Sequence, residues 1–211
     1  RFAPSPTGNL HIGGVRTALF NYIFSKQSGG KFLIRIEDTD FERSKQEFEN
    51  DIITGLKWLG ISPDEPPIRQ SERNEIYQKA AKKLIESGNA YWCDCSPEDL
   101  DAMRAEQIKA GKKPMYDGRS RDLGLERSDS TVLRLATPTS GETVINDLIR
   151  GKIIFNNSEL DDLILLRSDG TPTYHFCNVI DDFDQNVTTV IRGEDHISNT
   201  PRQIHIQNAL G

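Results

Sequence analysis

Two arginines and a glutamate stand where three extended-type runs give out: Arg1 with Ser5 close behind, Glu37 followed by Asp38, and Arg192 followed by Glu194 and Asp195. A guanidinium pairs with a carboxylate through two parallel hydrogen bonds, and a carboxylate suits an ammonium. Gathered at neighbouring strand ends, these groups fit a small zwitterion with an extra carboxylate, which is an acidic amino acid. Taken one strand end at a time, they read first as surface ion pairs, which are common and worth little. A second candidate is His11-Ile12-Gly13-Gly14. It opens a helix, where backbone N–H groups and the helix dipole favour anions, so an imidazole there can help hold a phosphate. The glycines let a flat base or sugar approach the backbone. Alone, a histidine before two glycines also reads as a helix cap or a solvent residue. The chain has neither a GxGxxG nor a Walker lysine motif, which removes the usual dinucleotide-binding and P-loop readings.

The elements that must position these groups follow from periodicity. Turn residues from Pro4 to Asn9 precede a helix from Gly13 with Val15, Ala18, Leu19, Tyr22 and Ile23 on one face, stopped by Gly29-Gly30. Lys31 to Glu37 alternates as a strand, with Phe32, Ile34 and Ile36 together. Ser44 and Glu47 have capping-box spacing before a helix with Phe48, Ile52, Leu56 and Leu59, and a further helix carrying Ile76, Tyr77, Ala80, Leu84 and Ile85 closes at Gly88. This alternation predicts a parallel sheet flanked by helices, whose ligands bind beyond the carboxyl ends of the strands. From about 89 to 172 the rhythm breaks. A helix capped by Ser96 with Pro97 in its first turn, a basic loop and short strands (131–135, 152–155 and 163–166) predict an inserted α+β domain. A helix from Thr173, a strand Val187–Ile191 and a helix begun by Thr200-Pro201 then resume the first pattern. The expected organisation is therefore residues 1–88 and 173–211 in one α/β domain and 89–172 inserted into it.

The 211 residues are 36% hydrophobic and 27% charged, which excludes fibrous and disordered classes. No apolar run approaches the ~20 residues of a membrane span and no signal pattern opens the chain, so a cytoplasmic location is expected. Three cysteines, of which Cys93 and Cys95 are one residue apart, make no disulfide framework and fit a reducing compartment. A net charge of -6 argues against non-specific nucleic-acid binding by the whole surface, yet residues 104–121 hold six basic groups against two acidic ones. Lys112, Lys113, Arg119 and Arg121 are thus candidates for phosphate contact, the alternative being a solvated face. Arg1 to Ala3 reads as the end of a strand, so the chain is expected to be a fragment.

The segments RFAPSPTGNLHIGG, LIRIEDTD, GTPTYHF and IRGEDHISNTPRQ resemble, in order, the catalytic core of bacterial-type glutamyl-tRNA synthetases, which are class I aminoacyl-tRNA synthetases. The resemblance covers essentially the whole chain and implies a Rossmann-like parallel sheet with an inserted domain that holds the tRNA acceptor end. HIGG is the local form of the family's HIGH signature, and Gly14 stands where that signature has its second histidine. The resemblance makes His11, Gly13 and Gly14 the catalytic signature, with His11, the backbone at Gly13 and Asp195 at ATP. It matches Arg1, Ser5, Glu37, Tyr174, Asn178 and Arg192 to glutamate-binding positions. Tyr174 and Asn178 are four apart, hence on one face of a helix.

Some relatives hold zinc in the insertion, and Cys93-Asp94-Cys95 resembles half of that site. Tyr116 to Arg121 supplies no further Cys or His, and zinc sites almost always use four good ligands, so no metal is expected there. Cys177 reads as a buried structural thiol. The implied activity is a glutamate-tRNA ligase that uses ATP with Mg2+, L-glutamate and the tRNA for glutamate, and a monomer is expected. Two alternatives stand beside it. One is the short paralogue that attaches glutamate to queuosine in the tRNA for aspartate, which usually lacks the arrangement Tyr174-His175-Phe176-Cys177-Asn178. The other is a non-catalytic tRNA-binding module, since no KMSKS-like lysine loop or anticodon-binding domain lies within the sequence.

Overall fold

The computed structural model describes residues 1–211 and divides into two compact units. The first comprises Arg1–Asn74 and Asp181–His196; the second comprises Glu75–Ile180 and Ile197–Gly211.

In the first unit the backbone around Ile34 forms the middle row of a small parallel arrangement. On one side it bonds to the chain start: Phe2 N–H to the Leu33 carbonyl (2.9 Å), Arg35 N–H to Phe2 (3.0 Å) and Glu37 N–H to Pro4 (2.9 Å). On the other side strand β1 (Arg35–Ile36) pairs in parallel with β2 (Ile68–Arg69). The alternation expected from sequence is present, and it has a consequence. Phe32, Ile34 and Ile36 enter a core with Phe2, Ala18, Ile52, Leu56 and Ile61. The opposite face, with Arg35 and Glu37, is buried as well. A central parallel row is covered on both faces, so its polar side chains must find partners inside the protein.

Helix α1 (Ile12–Gln27) packs on this core, but its buried stripe is Ala18, Asn21 and Ser25, while Leu19 and Ile23 of the expected apolar face are exposed. Tyr22 packs edge-on against Phe32 with ring centroids 5.5 Å apart. Helix α2 (Gln46–Trp58) buries Ile52 and Leu56 as expected and ends where Gly60 takes φ +75°, letting the Ile61 N–H reach back to the Leu56 carbonyl at 2.9 Å. The expected capping box does not form. Lys45 is the N-cap, without a side-chain bond, and the Ser44 N–H is drawn instead to the Asp40 carbonyl at 2.9 Å. No strand forms at Val187–Ile191 either: the Ile191 carbonyl accepts from the Asn21 side chain (3.0 Å) rather than from a neighbouring strand.

In the second unit β3 (Ala90–Cys93), β4 (Val132–Leu135) and β7 (Ile164–Leu166) form an antiparallel sheet in the order β3-β4-β7. Helix α3 (Asn74–Glu86), α5 (Tyr174–Asp184) and α6 (Thr200–Leu210) supply Tyr77, Leu84, Phe176, Cys177 and Ile206 to its core. Helix α4 (Pro97–Lys109) starts in a full capping box between Ser96 and Asp99. A hairpin of β5 (Glu142–Asp147) and β6 (Gly151–Asn156) completes the unit; β3 and β5 have no counterpart among the strands expected from sequence. The compact units part at 74/75, 180/181 and 196/197. The reason is packing: α3 and α6 share the core of the three-stranded sheet, and Asn89 donates to the Ala209 carbonyl at 3.0 Å.

Candidate functional site

The buried polar face of the β1 row is the centre of a charged network in the first unit. Arg35 is 0% exposed. Its Nη1 donates to Asp182 Oδ1 (2.6 Å) and to Gln185 Oε1 (3.2 Å), and its Nη2 to Glu37 Oε1 (3.4 Å). Arg1 takes the same Asp182 carboxylate side-on, Nε to Oδ1 at 2.9 Å and Nη2 to Oδ2 at 3.0 Å. Asp181, the adjacent residue, accepts from Gln70 Nε2 and Arg73 Nε, each at 2.8 Å, and stands 3.7 Å from Arg35 Nε, while Arg73 also reaches Asp184 at 2.5 Å. Burial pushes the Glu37 carboxyl above its ordinary range, against the opposing pull of Arg35 and Arg1. Burial acts upward on Asp182 too, but the hydrogen bond from Arg1 and the charges of Arg1 and Arg35 outweigh it and hold that carboxyl low. A carboxylate whose charge is costly to bury and only partly neutralised is suited to an ammonium ligand.

Of the sequence candidates, Arg1 and Glu37 belong to this network, joined through Arg35. Ser5 is exposed and directly follows Pro4, whose carbonyl accepts from Glu37 N–H. Arg192 is half-buried in the same unit, one residue beyond the Ile191 carbonyl that Asn21 holds. Tyr174 and Asn178 lie in the second unit, on one helical face, with the fully buried Asn178 amide donating to the Tyr174 carbonyl at 3.1 Å. Arg35, Asp181, Asp182 and Arg73 were missed by the sequence reading. The signal was available: Arg35 stands two residues before Glu37 in a strand whose other face is Ile34 and Ile36, and a charge there has to be either solvated or paired.

At the start of α1, His11 is the N-cap, in extended conformation (φ -118°, ψ 165°), and its Nδ1 accepts from Gly13 N–H at 3.2 Å. With Nδ1 accepting, the neutral ring carries its proton on Nε2, which is then a donor. Gly13 suits this arrangement, since a Cβ there would stand 3.0 Å from the imidazole Cε1 and the ring would have to shift by a few tenths of an ångström. Gly14 is looser, its virtual Cβ 3.4 Å from Leu10. Asp195 is exposed in the 3-10 turn Glu194–Asn199 and pairs with His196 at 3.6 Å. A side chain at Gly193 would run into the Asp195 carboxylate.

In the second unit the four basic candidates differ. Arg121 turns inward: Nε donates to Asp162 Oδ2 at 2.7 Å, Nη2 to the other Asp162 oxygen and to the Thr137 carbonyl at 2.7 Å. Arg119 folds onto Asp117 at 3.0 Å, and Lys113 reaches the Glu159 carbonyl at 3.1 Å; both side chains are exposed, as is Lys112. Beside them Cys93 Sγ lies 3.3 Å from the Tyr116 hydroxyl, which also accepts from Ser120 N–H at 3.0 Å. Arg134 stacks over the Tyr116 ring at 4.0 Å. Cys95 Sγ lies 3.7 Å from the Ser96 carbonyl, and no group of three or more His, Cys, Asp or Glu side chains stands together in the chain.

The family described as tRNA synthetases class I (E and Q), catalytic domain, matches residues 1–211. A glutamate–tRNA ligase of Thermodesulfovibrio yellowstonii is 55% identical over 211 residues, which is 100% of this chain and 45% of the relative. One of Geobacter sulfurreducens is 54% identical over 212 residues, with 46% of the relative covered. The chain thus spans about half the length of the curated relatives it matches. Among solved structures, a glutamate tRNA ligase from Elizabethkingia meningosepticum, in complex with its amino acid, superposes with a TM-score of 0.89 at 39% identity, covering 100% of this chain and 46% of that one. A putative arginyl tRNA synthetase from Campylobacter jejuni shares the fold alone, with a TM-score of 0.53 at 16% identity over 99% of this chain and 50% of that one. On this match over its whole length, the chain belongs to the catalytic-domain family of class I tRNA synthetases for glutamate and glutamine.

Proposed function

We propose that the protein containing this chain is a glutamate–tRNA ligase and that Arg1, Ser5, Glu37, Tyr174, Asn178 and Arg192 bind its amino acid. The observation that carries the reading is the buried pairing of Arg1, Arg35, Asp182 and Glu37, in a chain about half identical to ligases of that name. Arg1 and Arg192 suit the two carboxylates of glutamate, and Glu37 suits its ammonium. A glutamine side chain offers an amide where a guanidinium expects a charge, which favours glutamate.

The reaction needs no covalent bond to the protein. A carboxylate oxygen of glutamate attacks the α-phosphorus of ATP, the bond to the bridging oxygen breaks, and pyrophosphate leaves. A ribose hydroxyl of the tRNA 3' adenosine then attacks the acyl carbon, loses its proton and expels AMP. His11 Nε2–H and the N–H groups at the start of α1 are donors for the phosphates; Gly13 N–H joins them once the imidazole releases it. Asp195 is proposed at the adenosine. Mg2+ entering with ATP would supply charge neutralisation to the phosphates. Segment 89–172 is proposed as the inserted domain for the tRNA acceptor end, with Lys112, Lys113 and Arg119 as its phosphate contacts. No helix is long and apolar enough to cross a membrane; a monomer in the cytoplasm is proposed.

The test is pyrophosphate exchange and charging by the full-length protein, with tRNA present. Glutamate-dependent exchange and charging of the tRNA for glutamate are expected. Transfer to the queuosine base of the tRNA for aspartate, or binding of tRNA without exchange, would overturn the reading in favour of the short paralogue or a binding module.

A further inference from the structure

We propose that Asp182 is a positioning residue for substrate binding: it fixes the plane of the Arg1 guanidinium so that this side chain meets a substrate carboxylate, and Arg35 fixes Asp182 in turn. The proposal rests on the reading of Arg1 as a glutamate-binding residue. Three observations lead to it. The contact between Arg1 and Asp182 is two-pointed, Nε at 2.9 Å and Nη2 at 3.0 Å, so it sets both the direction and the plane of the guanidinium, which a single bond does not. The Asp182 oxygen that takes Arg1 Nε also takes Arg35 Nη1 at 2.6 Å, and Arg35 is immobilised by burial and by Gln185 and Glu37. One carboxylate oxygen therefore stands between two guanidinium groups in a largely buried place. Without its charge, the two cations face each other in a medium that screens them poorly, and an Asn amide would direct a donor at one of them.

Position along the helix supports the assignment. Asp181 and Asp182 are adjacent in the last turn of α5 and share Arg35, whose Nε stands 3.7 Å from Asp181 and whose Nη1 bonds Asp182 at 2.6 Å; beyond it Asp181 ties down Arg73 and Gln70, whereas Asp182 takes Arg1. A tie between segments would be served by Asp181. A second, parallel fork onto Arg1 adds orientation of that particular side chain.

The experiment measures KM for glutamate and for ATP, and kcat, by pyrophosphate exchange in the full-length enzyme with tRNA. Asp182→Asn should raise the glutamate KM about 10- to 100-fold, the range expected for losing charge-assisted hydrogen bonds, with the ATP KM within about threefold of the parent. In an Arg1→Ala background, which should itself weaken glutamate binding, Asp182→Asn should add less than about threefold, because the side chain it positions is gone. Asp182→Glu keeps the charge and moves the fork by one methylene; a rise of about threefold to tenfold, again absent without Arg1, carries the same test if the Asn variant does not fold. An unchanged or lowered glutamate KM, a parallel rise in both KM values, or full additivity with Arg1→Ala would each overturn the proposal and leave Asp182 a structural tie. If Arg1→Ala itself left the glutamate KM unchanged, the pocket reading would fall, and the proposal with it.

Discussion

Arg121 was selected from the sequence as a phosphate contact, and its surroundings assign it a different expense of binding energy. Its guanidinium donates to both oxygens of Asp162 and to the Thr137 carbonyl, while Asp162, 3% exposed, also accepts from Thr137 N–H at 3.0 Å and from the Tyr91 hydroxyl. Arg121→Ala leaves a buried carboxylate with two neutral donors in place of a charged fork. Breaking a buried ion pair costs about 3 to 5 kcal/mol. Because the Arg121 side chain keeps 29% of its exposure, water replaces part of what is lost, and we expect about 2 to 3 kcal/mol. That corresponds to a factor of roughly 30 to 150 in the local opening equilibrium. Hydrogen exchange on peptides spanning 131–137 and 160–166 of the full-length protein reads it directly, since these carry β4, β7 and the Asp162 bonds. Asp162→Asn should speed the same amides, and the double variant should cost less than the sum. Arg121→Ala should also leave the salt dependence of tRNA binding nearly intact, whereas replacing Lys112, Lys113 and Arg119 together should lower its slope by roughly 0.9 per lost phosphate contact. Exchange within threefold of the parent, together with a reduced salt slope for Arg121→Ala, would refute the reasoning and return this residue to the nucleic-acid surface.

Glutamate affinity should fall as pH is lowered through the raised Glu37 value, because the ammonium needs the ionised carboxyl; calorimetric titrations carried from neutral pH down toward the ordinary carboxyl range should show this slope and lose it in Glu37→Gln. For stability the sign is the reverse: a carboxyl raised on folding favours the folded state at low pH, and that contribution is lost as pH rises through the raised value. Glu37→Gln should therefore gain on the parent in urea midpoint toward the upper end of the range. Arg192→Ala should abolish glutamate activation while nucleotide binding, measured by fluorescence of an ATP analogue, survives; a glutamate affinity within about threefold of the parent would remove Arg192 from the pocket. Metal analysis of the purified protein should find well below one equivalent of zinc, and chelator should leave the circular dichroism unchanged, because Cys93 meets the Tyr116 phenol and Cys95 the Ser96 carbonyl, with no group of three His, Cys, Asp or Glu around them.

Local signals were legible and distant ones were not. Ser96 with Pro97 caps α4, and Gly60 and Gly88 end their helices at positive φ, since caps and turns depend on a few adjacent residues. The same logic failed at Ser44, where a bond to Asp40 displaced the cap by one residue, and at Val187–Ile191, whose β-branched run signals strand propensity but not a partner. Strands β3 and β5 were missed because four or six residues without clean alternation are decided by the strand opposite. Arg35 is the informative miss. Alternation put it on the face away from Ile34 and Ile36, and the habitual inference from such a pattern is solvent. A parallel row flanked on both sides has no solvent face, so an arginine there must be paired, and the pairing cost is sustained only by a set of partners that holds it from several sides. Here the set is Asp182, Asp181, Glu37 and Gln185, and through Asp182 it reaches Arg1. The residue that most violates the apolar rule for a central strand is thus the one at the centre of the charged network, and in LIRIEDTD that violation is visible in the sequence alone.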